Sequence, residues 1–211
     1  MSKASKAHPF ASAQFLLSCA QVGQLPADTL PEVVMAGRSN AGKSSALNAL
    51  CAQRALARVS KTPGRTQLIN LFGVQGGRLA DLPGYGYAAV ARDIRAGWGR
   101  LIAAYLDERE NLSGIVLIMD IRHPLTNFDI QMLDWAGHRE LPCHALLTKA
   151  DKLGYGAAQR TLQEVRKALK DHPRVTVQTF SAHSGLGLDE ARHHILGLLR
   201  KRPPADPTPG A

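Results

Sequence analysis

The sequence predicts a three-layer α/β protein, in which a mostly parallel mixed sheet of about six strands carries helices on both faces. Short apolar runs alternate along the chain with segments whose apolar residues recur at helical spacing. A glycine-rich turn that ends in Gly-Lys-Ser connects the first buried run to a helix. The run at residues 114–120 is almost entirely apolar, which is typical of a parallel strand covered on both faces.

The predicted elements follow one another in a regular order. Residues 32–36 form the first buried strand, and the helix after the glycine-rich turn runs from 43 to about 53. A hairpin turn at Gly76-Gly77 separates the next two strands. The later strands are residues 67–72, 78–81, 114–120, 143–147 and 175–177, and the later helices centre on residues 94–105, 128–135, 162–169 and 188–199.

The chain of 211 residues suits one domain with short extensions. We expect residues 1–22 to be an N-terminal extension, mobile in its first nine residues, which are small, polar and lysine-bearing. A single main domain then covers residues 23–201. Residues 202–211 are rich in proline, cannot continue a helix, and are predicted to be disordered.

Net charge and cysteine content limit the kinds of partner and the cellular compartment that we expect for this chain. The formal net charge of +9 favours a polyanionic partner such as RNA, although a soluble basic enzyme would have the same charge. The three cysteines are scattered, which predicts reduced thiols in the cytoplasm. The apolar stretch at residues 15–19 is too short for a signal peptide, and no stretch reaches transmembrane length. We therefore expect a cytoplasmic monomer without membrane insertion.

The glycine-rich turn matches the phosphate-binding loop (P-loop) pattern in full and lies between a strand and a helix. Its glycines let backbone N–H groups close around a β-phosphate, and the helix N-terminus adds a favourable dipole. Lys43 is predicted to reach the β- and γ-phosphates as a catalytic residue, and the Ser44 hydroxyl to bind Mg²⁺. The nucleotide contacts predicted here are Gly37, Arg38, Ser39, Asn40, Ala41, Gly42, Lys43, Ser44 and Ser45.

A second phosphate-side motif, Asp81-Leu82-Pro83-Gly84, follows the strand that ends at Asp81. Asp81 can hold Mg²⁺ through water, and the Gly84 N–H can bond the γ-phosphate, which makes Gly84 a candidate catalytic residue. Tyr85 occupies the next position, where many small GTPases have a water-orienting glutamine. Tyrosine cannot orient water in the same way, so unaided turnover should be slow, at or below ~10⁻² s⁻¹.

A base-selecting motif, Thr148-Lys149-Ala150-Asp151, follows another buried strand. Asp151 is predicted to accept hydrogen bonds from guanine N1–H and N2–H₂, which adenine cannot offer. Lys149 would lie over the base and brace the P-loop, whereas Thr148 stands where most GTPases have asparagine. Further along, Phe180, Ser181 and Ala182 close the base site, and the Ala182 N–H can donate to guanine O6.

A threonine between the first helix and the second strand should bind Mg²⁺ and close on the γ-phosphate. Thr62 and Thr66 both compete for this role. Thr66 directly abuts the strand, whereas Thr62 precedes a proline and can cap a turn, so Thr66 is predicted as the metal ligand and a catalytic residue. The nucleotide contacts predicted around it are Gly64, Arg65, Thr66, Gln67 and Leu68.

Taken in order, these motifs resemble the EngB (YsxC/YihA) family of bacterial ribosome-assembly GTPases over about residues 30–200. The specific marks are Gly-Arg-Ser-Asn-Ala-Gly-Lys-Ser-Ser, Lys-Thr-Pro-Gly-Arg-Thr-Gln, Asp-Leu-Pro-Gly-Tyr-Gly, Asp-Ile-Arg-His-Pro and Thr-Lys-Ala-Asp. Thr148 fits this family's own pattern. The resemblance implies a P-loop GTPase domain with a six-stranded mixed sheet, a role in large-subunit assembly, and a requirement for normal division and septation.

The hypothesis is a Mg²⁺-dependent GTP switch. A P-loop kinase for a small molecule would explain residues 37–44 but not Asp151, and a septation protein that binds GTP without useful turnover stays open.

Asn40 either holds K⁺ or only stabilises its turn. Arg122 and His123 either function or cap a loop. An rRNA-binding basic surface is expected at Arg92, Arg95, Arg100 and Arg109, with a cell-division protein as the alternative partner.

Overall fold

The computed structural model describes residues 8–57, 68–85 and 94–200, with only the backbone at 94–98. The strands are β1 (Gln14–Cys19), β2 (Glu32–Gly37), β3 (Ile69–Val74), β4 (Gly77–Asp81), β5 (Leu112–Asp120), β6 (Cys143–Thr148) and β7 (Val175–Thr179). The helices are α1 (Lys43–Leu50), α2 (Ile94–Glu108), α3 (Asn127–His138), α4 (Tyr155–Ala168) and α5 (Leu188–Arg200). None of these helices is long and apolar enough to span a bilayer.

The strands form one sheet in the order β1-β3-β4-β2-β5-β6-β7. Strands β4, β2, β5, β6 and β7 are parallel, whereas β1 and β3 join the edge in antiparallel pairs. Apolar side chains cover both faces: one core lies under α2, α3 and α4, and the other lies under α1 and α5. The predicted three-layer, mostly parallel mixed sheet is therefore confirmed.

The sheet has one strand more than predicted, because residues 14–19 pair with β3. The domain therefore begins before the predicted boundary at residue 23. Side chains in the first half of β1, including Phe15 and Leu16, are exposed, so this strand lacks the alternation that marks a half-buried strand in a sequence. Most of the segment predicted to be mobile at residues 1–9, and the predicted tail at 202–211, lie outside the described residues.

Helix α1 ends at Leu50, before the predicted end near Gln53. Ala52 has a φ of 52°, which stops the helix, and the side-chain amide of Gln53 donates to the Ala13 carbonyl at 2.7 Å. The last turn of α1 is held from α5, where Arg192 Nε donates to the Leu50 carbonyl at 2.9 Å. A cationic side chain here stabilises the carbonyl end of the helix.

A buried charge cluster lies at the amino end of β2, opposite the end from which the P-loop leaves the sheet. Glu32 is fully buried and accepts from Arg78 Nη1 at 3.0 Å, from Arg109 Nη2 at 2.6 Å and from the Tyr105 hydroxyl at 2.9 Å. This corrects the predicted basic surface, because Arg109 neutralises Glu32 instead of facing a partner. Of the other members of that surface, Arg92 and the Arg95 side chain lie outside the described part, and Arg100 is exposed.

Candidate functional site

The P-loop joins the carboxyl end of β2 to the first turn of α1. The turn closes through a hydrogen bond from the Ala41 N–H to the Arg38 carbonyl at 3.0 Å, and Asn40 has a φ of 63°. Gly42 has a φ of 100°, and a Cβ there would lie 3.5 Å from Thr148 Oγ1. A side chain at position 42 would strain the loop, so glycine keeps the backbone of α1's N-terminus open.

The phosphate-side residues converge at one edge of the sheet. Strands β2 and β4 pair in parallel with Met35 beside Asp81, which brings the Asp81 carboxylate to the base of the P-loop. Lys43 Nζ donates to Asp81 Oδ1 at 2.5 Å, and both side chains are largely buried. Ser44 follows on the first turn of α1. The structure thus pairs Lys43 with Asp81 and places Ser44 next to Lys43 in the first turn of α1.

The donors at this edge fit a hard divalent cation bound beside phosphate. Mg²⁺ prefers oxygen ligands and is usually held by one or two carboxylates together with substrate phosphates. Ser44 and Asp81 supply a hydroxyl and a carboxylate in that pattern. In the described part of the chain, no group of three or more acidic, histidine or cysteine side chains forms a metal cage. A set of one hydroxyl and one carboxylate suits a cation that takes its other ligands from water and a nucleotide.

Gly84 lies directly against the P-loop. A Cβ at this position would stand 2.9 Å from Ser39 Cα, so only glycine fits without a backbone shift. The Ser39 N–H donates to the Tyr85 carbonyl at 2.9 Å, which continues the β2–β4 alignment beyond the strands. The Tyr85 ring is buried and its hydroxyl donates to Asp129 Oδ1 at 2.9 Å. Tyr85 therefore points into the protein and does not face the phosphate side.

Thr148 and Lys149 join the base-selecting motif to the P-loop. The Thr148 hydroxyl lies 2.5 Å from the Ala41 carbonyl and 3.0 Å from the Met119 carbonyl, so its proton reaches either acceptor. Thr148 therefore connects the base-selecting motif to the P-loop, although most GTPases have asparagine at this position. Lys149 Nζ donates to the Asn40 carbonyl at 2.6 Å and to Asp120 Oδ2 at 2.9 Å. The lysine therefore braces the loop, as predicted from the sequence.

Asp151 is oriented from the segment after β7. The Ser181 hydroxyl donates to Asp151 Oδ1 at 2.6 Å, and this hydrogen bond lowers the pKa of the Asp151 carboxyl. Ala150 N–H donates to the Phe180 carbonyl at 3.1 Å, which fixes the two segments side by side. An ionised carboxylate with one oxygen held in place offers acceptors for a pair of N–H donors. This arrangement can recognise the edge of a guanine ring.

A cleft of about 630 Å³ opens between the end of α1 and these two segments. Seven of its lining residues were predicted as nucleotide contacts: Gly42, Ser45, Thr148, Lys149, Asp151, Phe180 and Ala182. Its far wall was not predicted and consists of Asn48, Ala49, Ala52, Gln53, Arg54, Lys152 and His183. The spacing of positions 45, 48 and 49 could have indicated the part of this wall that α1 supplies, because such residues share one face of a helix.

Sequence reasoning also missed Asp120 as a partner of the base-selecting lysine. Arg122 binds Asp120 through two hydrogen bonds, Nε to Oδ1 at 2.9 Å and Nη2 to Oδ2 at 2.6 Å. These bonds are the main reason that the pKa of Asp120 falls well below its usual range, with Lys149 contributing further. Arg122 therefore supports Lys149 through Asp120. Its neighbour His123 is exposed and closes the turn through its backbone N–H.

Both candidates for the switch threonine lie outside the described residues. The candidates are Thr66 and its competitor Thr62. The segment outside the described residues also includes the nucleotide contacts expected at Gly64, Arg65 and Gln67. Leu68 is described and immediately precedes β3. The site as described contains the P-loop, the Asp81–Gly84 motif and the base-selecting motifs.

Known proteins are similar to this chain over most of its length. A family model described as a 50S ribosome-binding GTPase matches residues 32–149. The probable GTP-binding protein EngB of Xanthomonas axonopodis pv. citri is 54% identical over 204 residues, covering 94% of this chain and 95% of that protein. Its counterpart in Xanthomonas oryzae pv. oryzae is 55% identical over 190 residues, covering 89% of this chain and 92% of that protein.

Solved structures share the fold at lower identity. The crystal structure of a probable GTP-binding protein EngB aligns with a TM-score of 0.62 and 20% identity, covering 81% of this chain and 100% of that one. The structure of Era with MgGDPNP and nucleotides 1506–1542 of 16S ribosomal RNA aligns with a TM-score of 0.61 and 21% identity, covering 85% of this chain and 60% of that one. At such identities the structures support the P-loop α/β architecture alone.

Proposed function

The chain belongs to the EngB family of GTP-binding proteins and is a GTPase; from this premise we propose that it is a Mg²⁺-dependent GTP switch acting in assembly of the large ribosomal subunit. One observation carries the choice of GTP. The Asp151 carboxylate is oriented by Ser181, and the adjacent Lys149 is bonded to the P-loop at Asn40. Base recognition and phosphate binding are therefore parts of one rigid site.

Each residue of the site has a defined task in this proposal. Asp151 selects guanine, and the P-loop N–H groups bind the phosphates. Lys43, now paired with Asp81, would bind the β- and γ-phosphate oxygens and stabilise charge that develops during transfer to water. The Gly84 N–H would contact the γ-phosphate. When that phosphate leaves, the Thr66 and Gly84 contacts are lost, and this loss is the output of the switch.

Mg²⁺ would be held by Ser44, Thr66 and, through water, Asp81, and when bound it neutralises charge on the phosphate oxygens. The fit of Ser44 and Asp81 at the base of the P-loop supports this assignment.

K⁺ at Asn40 is a further hypothesis, in which the cation supplies positive charge where other GTPases use an arginine. Turnover without an activator should be slow, because the Tyr85 hydroxyl is bonded to Asp129.

We expect Ser44→Ala and Thr66→Ala each to weaken Mg²⁺-dependent GTP binding or hydrolysis about tenfold, because each removes a hydroxyl from a hard cation or a nearby phosphate. Thr62→Ala is the matched control and should change either quantity by less than about twofold. The measurement is single-turnover GTP hydrolysis across a Mg²⁺ titration. A damaging Thr62→Ala beside a silent Thr66→Ala would reverse the assignment of the switch threonine.

The ribosomal role is supported by charge and by kinship. The net charge of +9 favours a phosphate backbone, and the matching family model is described as 50S ribosome-binding. Era, a fold neighbour, is recorded with 16S ribosomal RNA. We propose that the GTP form binds the large subunit or its precursor in the cytoplasm. A requirement for division and septation would then follow from the supply of ribosomes.

The test is sedimentation of purified large subunits with protein loaded with a non-hydrolysable GTP analogue or with GDP. The GTP-analogue form should co-sediment, and the GDP form should bind at least about tenfold more weakly, which corresponds to a typical coupling energy. Raising the salt concentration should weaken the complex steeply, because each neutralised phosphate releases counterions. Co-sedimentation that is absent, or identical in both nucleotide states, would contradict a GTP-switched ribosomal role.

A further inference from the structure

Tyr85 stands next to the γ-phosphate motif, yet the proposed function gives it no task. Its ring is buried, and the ring centroid lies 5.8 Å from that of Phe128 on α3. Its hydroxyl donates to Asp129 Oδ1 at 2.9 Å, and its carbonyl accepts from the Ser39 N–H at 2.9 Å. One residue thus contacts both the P-loop and α3.

The backbone around Gly84 is held at two points. On the upstream side the Leu82 N–H donates to the Met35 carbonyl at 3.2 Å, where the β2–β4 ladder ends. On the downstream side the bond from Ser39 to the Tyr85 carbonyl holds the chain against the P-loop. Gly84 lies between these points and has no side chain of its own to fix it. Its position therefore depends on the residues that bracket it.

The α3 end of the contact is rigid. Asp129 is only 1% exposed, and its second oxygen, Oδ2, accepts from the Thr126 N–H at 2.9 Å and from the Thr126 hydroxyl at 2.8 Å. The bond from the Thr126 N–H is one half of a capping box at the start of α3, in which the Thr126 side chain also accepts from the Asp129 backbone N–H. The carboxylate therefore cannot follow Tyr85 if the tyrosine moves. It serves as a fixed point for the segment that ends at residue 85.

We propose that Tyr85 and Asp129 are positioning residues, whose buried hydrogen bond holds Gly84 against the P-loop and so sets how well the protein distinguishes GTP from GDP. This inference rests on the proposed function, because it requires the Gly84 N–H to meet the γ-phosphate. Only GTP has a γ-phosphate, so loosening Gly84 affects GTP and leaves GDP binding alone. A tyrosine that merely filled the core would affect both nucleotides equally.

Tyr85→Phe is the direct test, since phenylalanine keeps the ring contact with Phe128 and removes only the hydroxyl. We expect affinity for a non-hydrolysable GTP analogue to fall about fivefold to tenfold, as for a lost hydrogen bond to a charged group, while GDP affinity stays within about twofold. Titration with fluorescent nucleotides gives both values. Asp129→Asn weakens the same contact from the other side and should lower the ratio of the two affinities in the same direction.

Two control variants separate positioning from stability. Tyr155→Phe removes the hydroxyl of a tyrosine that is 83% exposed, and it should change neither affinity. Glu32→Ala removes a buried acceptor at the opposite end of β2 and leaves the contact between Tyr85 and Asp129 intact, so it should lower thermal stability without changing the affinity ratio. If Tyr85→Phe and Asp129→Asn both keep the ratio of a normally binding wild-type protein, the positioning role is wrong. If the wild-type protein binds neither nucleotide, the proposed function fails first and the inference fails with it.

Discussion

Replacing Asp151 with asparagine should weaken GTP and GDP binding by about one to two orders of magnitude and shift the preference toward xanthine nucleotides. Ser181 fixes one oxygen of this carboxylate at the cleft, where the carboxylate would accept from the guanine edge. An asparagine amide cannot accept from both the N1–H and the N2–H₂ of guanine as the two carboxylate oxygens can, whereas its own N–H₂ can donate to the C2 oxygen of xanthine. Selectivity is therefore exchanged, and it is not simply lost.

The measurement is competition of GTP, GDP, XTP and ATP against a fluorescent guanine nucleotide. Asp171→Asn provides a control with the same chemical change at an exposed position after α4, and it should behave as the wild-type protein does. Thermal unfolding without nucleotide should be nearly the same for all three proteins, since Asp151 lies at the cleft rim. Equal binding of ATP and GTP by the wild-type protein would contradict the guanine assignment altogether.

Glu32→Ala should lower the free energy of unfolding by about 3–5 kcal/mol, because it leaves buried cations without their carboxylate. Arg78 and Arg109 both donate to Glu32, and their side chains are almost completely buried. Tyr105 would lose its acceptor as well. Arg109 and Tyr105 would then remain desolvated without this acceptor, while Arg78 would keep its pair with Asp28, and the cost exceeds the loss of one hydrogen bond.

Chemical denaturation of the wild-type protein and of Glu32→Ala measures this difference in the free energy of unfolding. Glu140→Ala is the matched control, because Glu140 pairs with Arg174 while its side chain is 69% exposed, and its loss should cost no more than about 1 kcal/mol. The cluster lies at the end of β2 remote from the nucleotide, so the folded fraction of Glu32→Ala should keep its preference for GTP over ATP. A loss of stability no larger than that of Glu140→Ala would show that the cluster contributes little.

The central strands and the motif order could be predicted because the information is local. Strands β2, β5 and β6 are continuous buried runs, and each ends in a polar motif. Parallel strands place their carboxyl ends at one edge, so the P-loop, Asp81 and Asp151 had to meet. The positions of Lys43 beside Asp81 and of Lys149 beside Asn40 follow from that topology.

Contacts between distant parts of the chain could not be predicted. Glu32 begins a strand and looks solvated in the sequence, yet it is buried by arginines 46 and 77 positions away. Tyr85 meets Asp129 across 44 positions, and no local pattern marks either residue as a partner. Strand β1 is held mainly by backbone pairing with β3, which depends little on the types of its side chains. Such contacts depend on topology, which a single sequence specifies only indirectly.

The edge position of β1 has a consequence for the order of folding. Its partner β3 lies about fifty residues later, so a long loop must close before the two strands can pair. The β3–β4 hairpin, in contrast, closes over a short turn, and β4 then joins β2. Strand β1 should therefore dock late onto a sheet that already contains the P-loop. It should also separate from the sheet first, at a lower free energy than global unfolding, and leave the nucleotide site on the remaining strands assembled.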